Sequence, residues 1–383
     1  MAQIRKFVAP EFIFGVSAIE QVSRYVRNFG AHKPLIVTDK GVINAGWTQR
    51  VSSSLSGNGI DYAIFSEISP NPRDFQVMNG SVFYDQEKCD LIIAIGGGSV
   101  MDCAKAIGIV STNQVNVKSF EGVDNVEIPG PPLICIPTTS GTSADVSQFS
   151  IINNTEKKVK FAIISTTMVP DVALIDPQVC LTMDPFLTAC TGVDALVHAI
   201  EAFVSTAHSP MTDLHALEAI RLMSSYLPQV IEHPDDIDVR THLMQGSLQA
   251  GLAFSNASLG AVHSLAHCLG GYLDLPHGEC NAILLDHVIA FNYPKSPDRY
   301  DRIAEALGLE IKKKTITEKS ALIIETIRNL KSQLGITETL ANKGLKTTDI
   351  SFLARNAMAD PCLITNPRTP NQRDLEVIYE EAL

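Results

Sequence analysis

The chain has 383 residues, enough for two domains at roughly 100–200 residues each, and its 45% apolar, 19% charged and 6% aromatic residues exclude a disordered chain. Forty-two acidic against 30 basic residues leave a formal charge of −12, which excludes broad electrostatic binding to nucleic acid or to an anionic membrane. The opening MAQIRKFVAPEFIFG lacks the apolar core and small-residue cleavage site of an export signal, so a cytoplasmic location is expected.

Up to about residue 180, short apolar runs alternate with helix-like segments, the pattern of βαβ units around a parallel sheet. Helices are expected over 17–29, 45–57, 73–88 and 99–110, and strands over 33–41, 62–68, 89–99 and 132–142, with a hairpin-like pair across 149–164. The continuous runs LIV and LIIAI suit strands buried on both faces. From about 184 onward strand signals stop and long helical periodicities take over. In KSALIIETIRNLKSQLG, Ile323, Ile327, Leu330 and Leu334 recur at helical spacing, and Gly335 is the natural stop. Two Asp-Pro steps in 176–185 punctuate the change. The expected organisation is an α/β domain with a parallel sheet over 1–180 and an all-α domain over 181–383. The eight cysteines form no C-x-x-C pair and sit mostly in apolar runs, where they read as buried, reduced thiols.

Three polar loops follow predicted strands. Gly96-Gly97-Gly98-Ser99 opens a helix, where successive glycines admit close backbone approach to a pyrophosphate and the helix N-terminus offers free N–H groups. Ser99 is expected to cap that helix, with Asp102 completing a capping box. Asp39 ends the strand PLIVTD, where an acid can accept from a ribose diol and repel a 2'-phosphate; a simple turn role is the alternative. The acid precedes the glycine loop, the reverse of the usual Rossmann order. The hydroxyl-rich loop 137–143 is the third, and three such loops on strand ends favour one ligand crevice.

The helical half holds two i, i+4 pairs, Asp194 with His198 and His263 with His267, and a further histidine at His277. Such spacing puts both side chains on one helix face. Asp194, His198, His263 and His277 together offer one hard oxygen and three borderline nitrogens, a set suited to Fe(II), Zn(II), Co(II) or Mn(II) more than to magnesium. Any one of these histidines alone reads as a packed core residue. His208, His215, His233, His242 and His287 read as structural, and His32 as solvent-facing.

Taken together, FGVSA, SPNP, DLIIAIGGGSVMDCAKAI, IPTTSGTSADVSQFSII, KVKFAI, DALVHAIEA, NASLGAVHSLAHCLGGYLDLPHGECNAILLDHVIAFN and DPCLITNPR resemble the iron-dependent, or group III, alcohol dehydrogenases across essentially the full chain. The resemblance implies the two-domain fold shared with dehydroquinate synthase, with an α/β dinucleotide-binding domain over 1–180 and an all-α metal-binding and substrate domain over 181–383. It makes Asp194, His198, His263 and His277 the metal ligands, with His267 beside the metal as a proton-relay or positioning group. It places Gly97, Gly98, Ser99 and Asp102 at the pyrophosphate loop, Asp39 on the ribose, and Asn71, Thr138, Thr139, Ser147, Phe149 and Lys160 around the rest of the dinucleotide. Phe149, Phe254 and Cys362 then fall near the alcohol pocket. The implied cofactors are NAD(H) and Fe2+, with Zn2+ or Mn2+ as alternatives. The implied reaction interconverts a short-chain primary alcohol and its aldehyde by hydride transfer, the cation polarising the substrate oxygen. A polar or anionic C2–C4 aldehyde is the alternative substrate class. A dehydroquinate-synthase-like lyase is disfavoured because His263 to His277 contains no Lys or Arg, and a non-catalytic nucleotide or metal sensor is disfavoured by the complete ligand set. The expected partners are a small alcohol or aldehyde and a second copy of the chain, as a homodimer or higher homo-oligomer.

Overall fold

The computed structural model describes residues 6–383. The chain forms two compact units, Val8–Met183 and Asp184–Leu383; Phe7 groups with the second, its ring stacked on His215 at 5.6 Å.

The first unit runs β1 (Glu11–Phe14), α1 (Val22–Asn28), β2 (Pro34–Val37), α2 (Lys40–Asn44), α3 (Trp47–Gly57), β3 (Ala63–Phe65), α4 (Asp74–Gln86), β4 (Leu91–Gly96), α5 (Gly98–Asn113), β5 (Gly122–Val123), β6 (Leu133–Pro137), β7 (Phe149–Asn154), β8 (Val159–Ile164) and β9 (Val172–Ile175). Six strands form a parallel sheet in the order β1-β9-β6-β4-β2-β3. Every residue of β2, β4, β6 and β9 is buried, which is why these strands read as unbroken apolar runs rather than alternating ones. The hairpin over 149–164 forms as an antiparallel pair, β7 with β8, in a separate three-stranded sheet with β5. Each of the central Ile and Leu side chains contributes about 1.5–3 kcal/mol by leaving water.

Three departures from the sequence expectations have local causes. The segment 17–29 is a 3-10 turn over Ala18–Gln21 followed by α1, after Ser17 adopts a left-handed φ of 70°. The strand read over 33–41 stops at Val37 because Asp39 caps α2 through Oδ1, accepting from the Val42 N–H at 2.9 Å. Strands β1 and β9 had no strong pattern: β1 is a half-exposed edge strand, and β9 lies between two proline turns.

The second unit is helical throughout: α6 (Pro185–Val204), α7 (Pro210–Glu232), α8 (Ile237–Ala257), α9 (Ala261–Leu273), α10 (His277–Asn292), α11 (Pro297–Ala306), α12 (Ile316–Gln333), α13 (Ile350–Ala357) and α14 (Gln372–Glu381). Asp184 caps α6, accepting from the Leu187 N–H at 2.9 Å, and Pro185 takes the first helical position, where no N–H is needed. Thr315 and Glu318 form a reciprocal capping box on α12, whose C-terminal exit passes through Gly335 at φ 74°. Among the described residues α6 alone is long and apolar enough to cross a membrane, but 94% of that apolar window is buried inside the fold. It is the core helix of its unit, and it carries Asp194 and His198.

Candidate metal centre and dinucleotide loops

Asp194 and His198 project from α6, His263 and His267 from α9, and His277 opens α10. The two helices α6 and α10 meet closely because Gly278 has no side chain: a Cβ there would lie 2.4 Å from the Cys190 carbonyl oxygen. That approach brings three imidazoles around one carboxylate oxygen. The Nε2 atoms of His198, His263 and His277 each lie 3.9 Å from Asp194 Oδ1. Ligand atoms of Asp194, His263 and His277 lie within 4.8 Å of one another, with His198 3.9 Å from the same Asp194 oxygen, and one carboxylate oxygen with imidazole nitrogens is a donor set that suits a divalent transition metal.

Three of the four side chains are buried, while His277 keeps its side chain 27% exposed. Asp194 and His263 are each 1% exposed and His198 is 4% exposed. Burial holds the His263 imidazole well below its ordinary pKa, so it is neutral. Its Nδ1 lies 2.6 Å from Glu201 Oε2, which assigns the ring hydrogen to Nδ1 and leaves the Nε2 lone pair facing Asp194. Glu201 also accepts from the Gly260 N–H at 3.0 Å and the Val262 N–H at 2.7 Å, so one carboxylate caps α9 and orients its first histidine. Burial pushes Glu201 up to about 7 against the pull of those backbone donors. Asn281 Nδ2 donates to Asp194 Oδ1 at 2.5 Å and lies 3.2 Å from Nε2 of both His263 and His277.

His267 sits beside this group, its ring stacked on His277 at 5.3 Å and edge-on to His263 at 6.0 Å. Its Nδ1 lies 2.8 Å from Asp360 Oδ2. Burial raises the Asp360 carboxyl, but His267 and the Cys362 N–H outweigh it and hold the group below the usual carboxylate range. Cys362 falls with them, its sulfur within 4.8 Å of the ligand atoms of His267 and Asp360, and burial raises its thiol well above the ordinary value. Phe254 stacks on His198 at 4.3 Å. The remaining pocket candidate, Phe149, belongs to β7 in the first unit.

In the first unit, Asp39, Gly97 and Thr138 follow the carboxyl ends of β2, β4 and β6, three neighbours in the sheet. A Cβ on Gly97 would meet Thr139 Cγ2 at 3.1 Å, and one on Gly98 would meet Thr142 at 3.0 Å, so an added side chain would press on the neighbouring loop. Thr139 Oγ1 and Ser140 Oγ are buried with no hydrogen-bond partner in the protein, as expected of hydroxyls that face a polar ligand. The capping expectation is corrected here: α5 starts at Gly98 with Gly97 as its cap residue and no side-chain cap, so Ser99 lies inside the first turn and forms no box with Asp102. Asn71 Oδ1 accepts from Lys160 Nζ at 2.7 Å, joining two of the predicted residues. Ser147 and Phe149 are joined by a third, unpredicted group: the buried Lys105 Nζ donates to the Ser147 carbonyl at 2.8 Å and to the Phe149 carbonyl at 2.9 Å.

Sequence reasoning missed Glu201, Asn281, Asp360 and Lys105. Glu201 carried a usable signal, a carboxylate in the apolar face of DALVHAIEA that burial would oblige to find partners. Asp360 carried none, since its partner lies 93 residues away.

Comparison with known proteins gives a consistent picture. The profile of a family described as iron-containing alcohol dehydrogenase matches residues 9–177, and that of the Fe-containing alcohol dehydrogenase family, C-terminal, matches residues 188–383. The chain is 37% identical to an NAD-dependent methanol dehydrogenase of Bacillus methanolicus, over 98% of this chain and 99% of that one. It is 38% identical to a 1,3-propanediol dehydrogenase of Citrobacter freundii, covering 96% of each. The crystal structure of a 1,3-propanediol oxidoreductase superposes with a TM-score of 0.96 at 37% identity, covering 100% of both chains.

Proposed function

The chain belongs to the iron-containing alcohol dehydrogenase family, and we propose that it interconverts a short-chain primary alcohol and its aldehyde using NAD(H). The observation that carries the site assignment is the convergence of three imidazole Nε2 atoms at 3.9 Å on one oxygen of Asp194. We assign Asp194, His198, His263 and His277 as ligands of a divalent cation, iron in keeping with the family. Such a cation supplies Lewis acidity to the substrate oxygen, and the nicotinamide supplies or takes the hydride.

The chain's own residues do the rest. Asp194 gives the one anionic donor, and Glu201 fixes His263 with its Nε2 lone pair inward. His267 handles the hydroxyl proton through Nε2, since Nδ1 is committed to Asp360. Phe254 covers one face of His198 and helps to exclude water. Cys362 is a packing residue of the pocket, its thiol held protonated by burial. Gly97, Gly98 and Ser99 at the N-terminus of α5 take the pyrophosphate, with hydroxyls of the loop containing Thr138 and Thr139 alongside. Asp39 receives the ribose diol and disfavours a 2'-phosphate, which gives NAD preference over NADP. Asn71, Lys160, Ser147 and Phe149 complete the dinucleotide side, and Asp102 stays near the pyrophosphate loop on α5.

None of the eight cysteines forms a disulfide, which supports a reducing, cytoplasmic setting. We propose a homodimer or higher homo-oligomer, the commonest form of assembly among soluble proteins.

The test is anaerobic NADH oxidation across a panel of short aldehydes, with protein stripped of metal and reloaded with Fe(II), Zn(II), Mn(II) or Mg(II). The expected result is turnover with a transition metal, iron foremost, and little with magnesium. Binding of NADH without turnover under any metal would contradict the assignment.

A further inference from the structure

We propose that Asp360 is a positioning residue for the reaction: it fixes His267 as the Nδ1–H tautomer, so that Nε2 is the nitrogen free to exchange a proton. The inference rests on His267 being the proton-handling group, as assigned above.

The geometry divides the two carboxylate oxygens of Asp360 between separate tasks. Oδ1 accepts from the Cys362 N–H at 2.8 Å and caps the 3-10 turn Pro361–Thr365. Oδ2 lies 2.8 Å from His267 Nδ1. An ionised carboxylate only accepts, so the hydrogen in that contact belongs to Nδ1, and Nε2 is the ring nitrogen left to exchange a proton.

The turn that carries Asp360 is itself tied to the helix that carries His267. Thr365 Oγ1 donates to the Leu259 carbonyl at 2.6 Å, and Asn366 Oδ1 accepts from the Ala261 N–H at 3.1 Å, at the start of α9. Asn366 is held in turn by a reciprocal pair of hydrogen bonds with Asn292, at 2.9 and 2.8 Å. The carboxylate and the imidazole therefore move as one piece.

Capping alone does not account for an acid at this position. Serine or threonine would cap the turn without placing a charge where the side chain is only 10% exposed, and burying a carboxylate is costly unless a specific partner repays it. His267 is that partner. Its ring then stands against His277 and His263, two of the assigned metal ligands.

The test is a double-mutant cycle on metal-loaded enzyme. Asp360→Asn keeps a capping oxygen but can present an N–H to Nδ1, which favours the opposite tautomer. It is expected to lower kcat by about 10–100-fold, with KM for aldehyde and NADH within about threefold of the parent and bound metal per chain unchanged. In a His267→Gln background the same substitution is expected to change kcat by less than about twofold, because its effect passes through His267. Nitrogen-15 NMR of histidine-labelled, zinc-loaded protein should show the His267 pattern change from Nδ1–H to Nε2–H. Asp360→Ser, which retains the cap and removes the acceptor, should show the same split between kcat and KM and supplies the answer if the asparagine variant does not fold.

Equal losses from Asp360→Asn in both backgrounds, or an unchanged tautomer, would overturn the proposal. Wild-type turnover in His267→Gln alone would instead refute the proton-handling role of His267; the NMR tautomer would still decide whether Asp360 positions the ring.

Discussion

The two units prepare their candidate sites by opposite means. In the α/β unit the residues of interest are small and sit on loops at strand ends, and what shapes them is space: Gly97 and Gly98 stand where a Cβ would press on Thr139 and Thr142 at 3.1 and 3.0 Å. In the helical unit they are ionisable side chains inside buried helices, and what shapes them is charge balance: His263 answers to Glu201 at 2.6 Å and His267 to Asp360 at 2.8 Å. Added volume should therefore damage the first, and a neutralised carboxylate the second, even when size is conserved.

The sharpest way to break that contrast is Glu201→Gln, which conserves shape and removes the charge behind His263. Metal affinity, measured by competition with a chelator, should fall by about 10–100-fold, while NADH affinity is retained. Next comes Gly98→Ala, a change of one methyl. It should weaken NADH binding by about tenfold, the ~1.4 kcal/mol cost of crowding Thr142, and leave bound metal unaltered; fluorescence titration and metal analysis on the same preparation check both halves. The smallest effect is expected from Asp39→Ser. Serine keeps the cap of α2 and removes the charge, so the ratio of NAD to NADP efficiency should fall by a few-fold, under about 1 kcal/mol for a partly exposed group, with little change in thermal stability. An unchanged ratio would return Asp39 to a purely structural role.

The sequence carried the outline of both units unevenly. Strands β2, β4 and β6 were legible because burial on both faces leaves an unbroken apolar run, whereas EFIF of β1 is half exposed and VALI of β9 is hidden between prolines. The start of α5 differs from the expectation because the capping rules favour serine, whereas the helix begins at Gly98 with Gly97 as its cap residue and no side-chain cap. For the helical centre, the pairs Asp194/His198 and His263/His267 stood out by i, i+4 spacing in apolar surroundings, and His277 as a further histidine ten residues on; the fold brings ligand atoms of Asp194, His263 and His277 within 4.8 Å of one another. Their partners could not: Glu201 is conspicuous as an acid in an apolar run, but it meets the α9 N-terminus from 59 residues away and Asp360 meets His267 from 93, and such pairings exist only once the helices pack. Lys105 was hidden for the same reason, an apparently ordinary helical lysine that folding buries against two backbone carbonyls.

The central claim is that the single Asp194 oxygen shared by three imidazoles organises the metal on which turnover depends. The most direct measurement is metal content, NADH affinity and aldehyde-dependent NADH oxidation of Asp194→Asn beside the parent enzyme, all on folded protein. The account predicts that bound metal and turnover are lost together while NADH affinity stays within about twofold, since asparagine keeps the shape and removes the anionic donor. Full metal occupancy with undiminished turnover in that variant would contradict it.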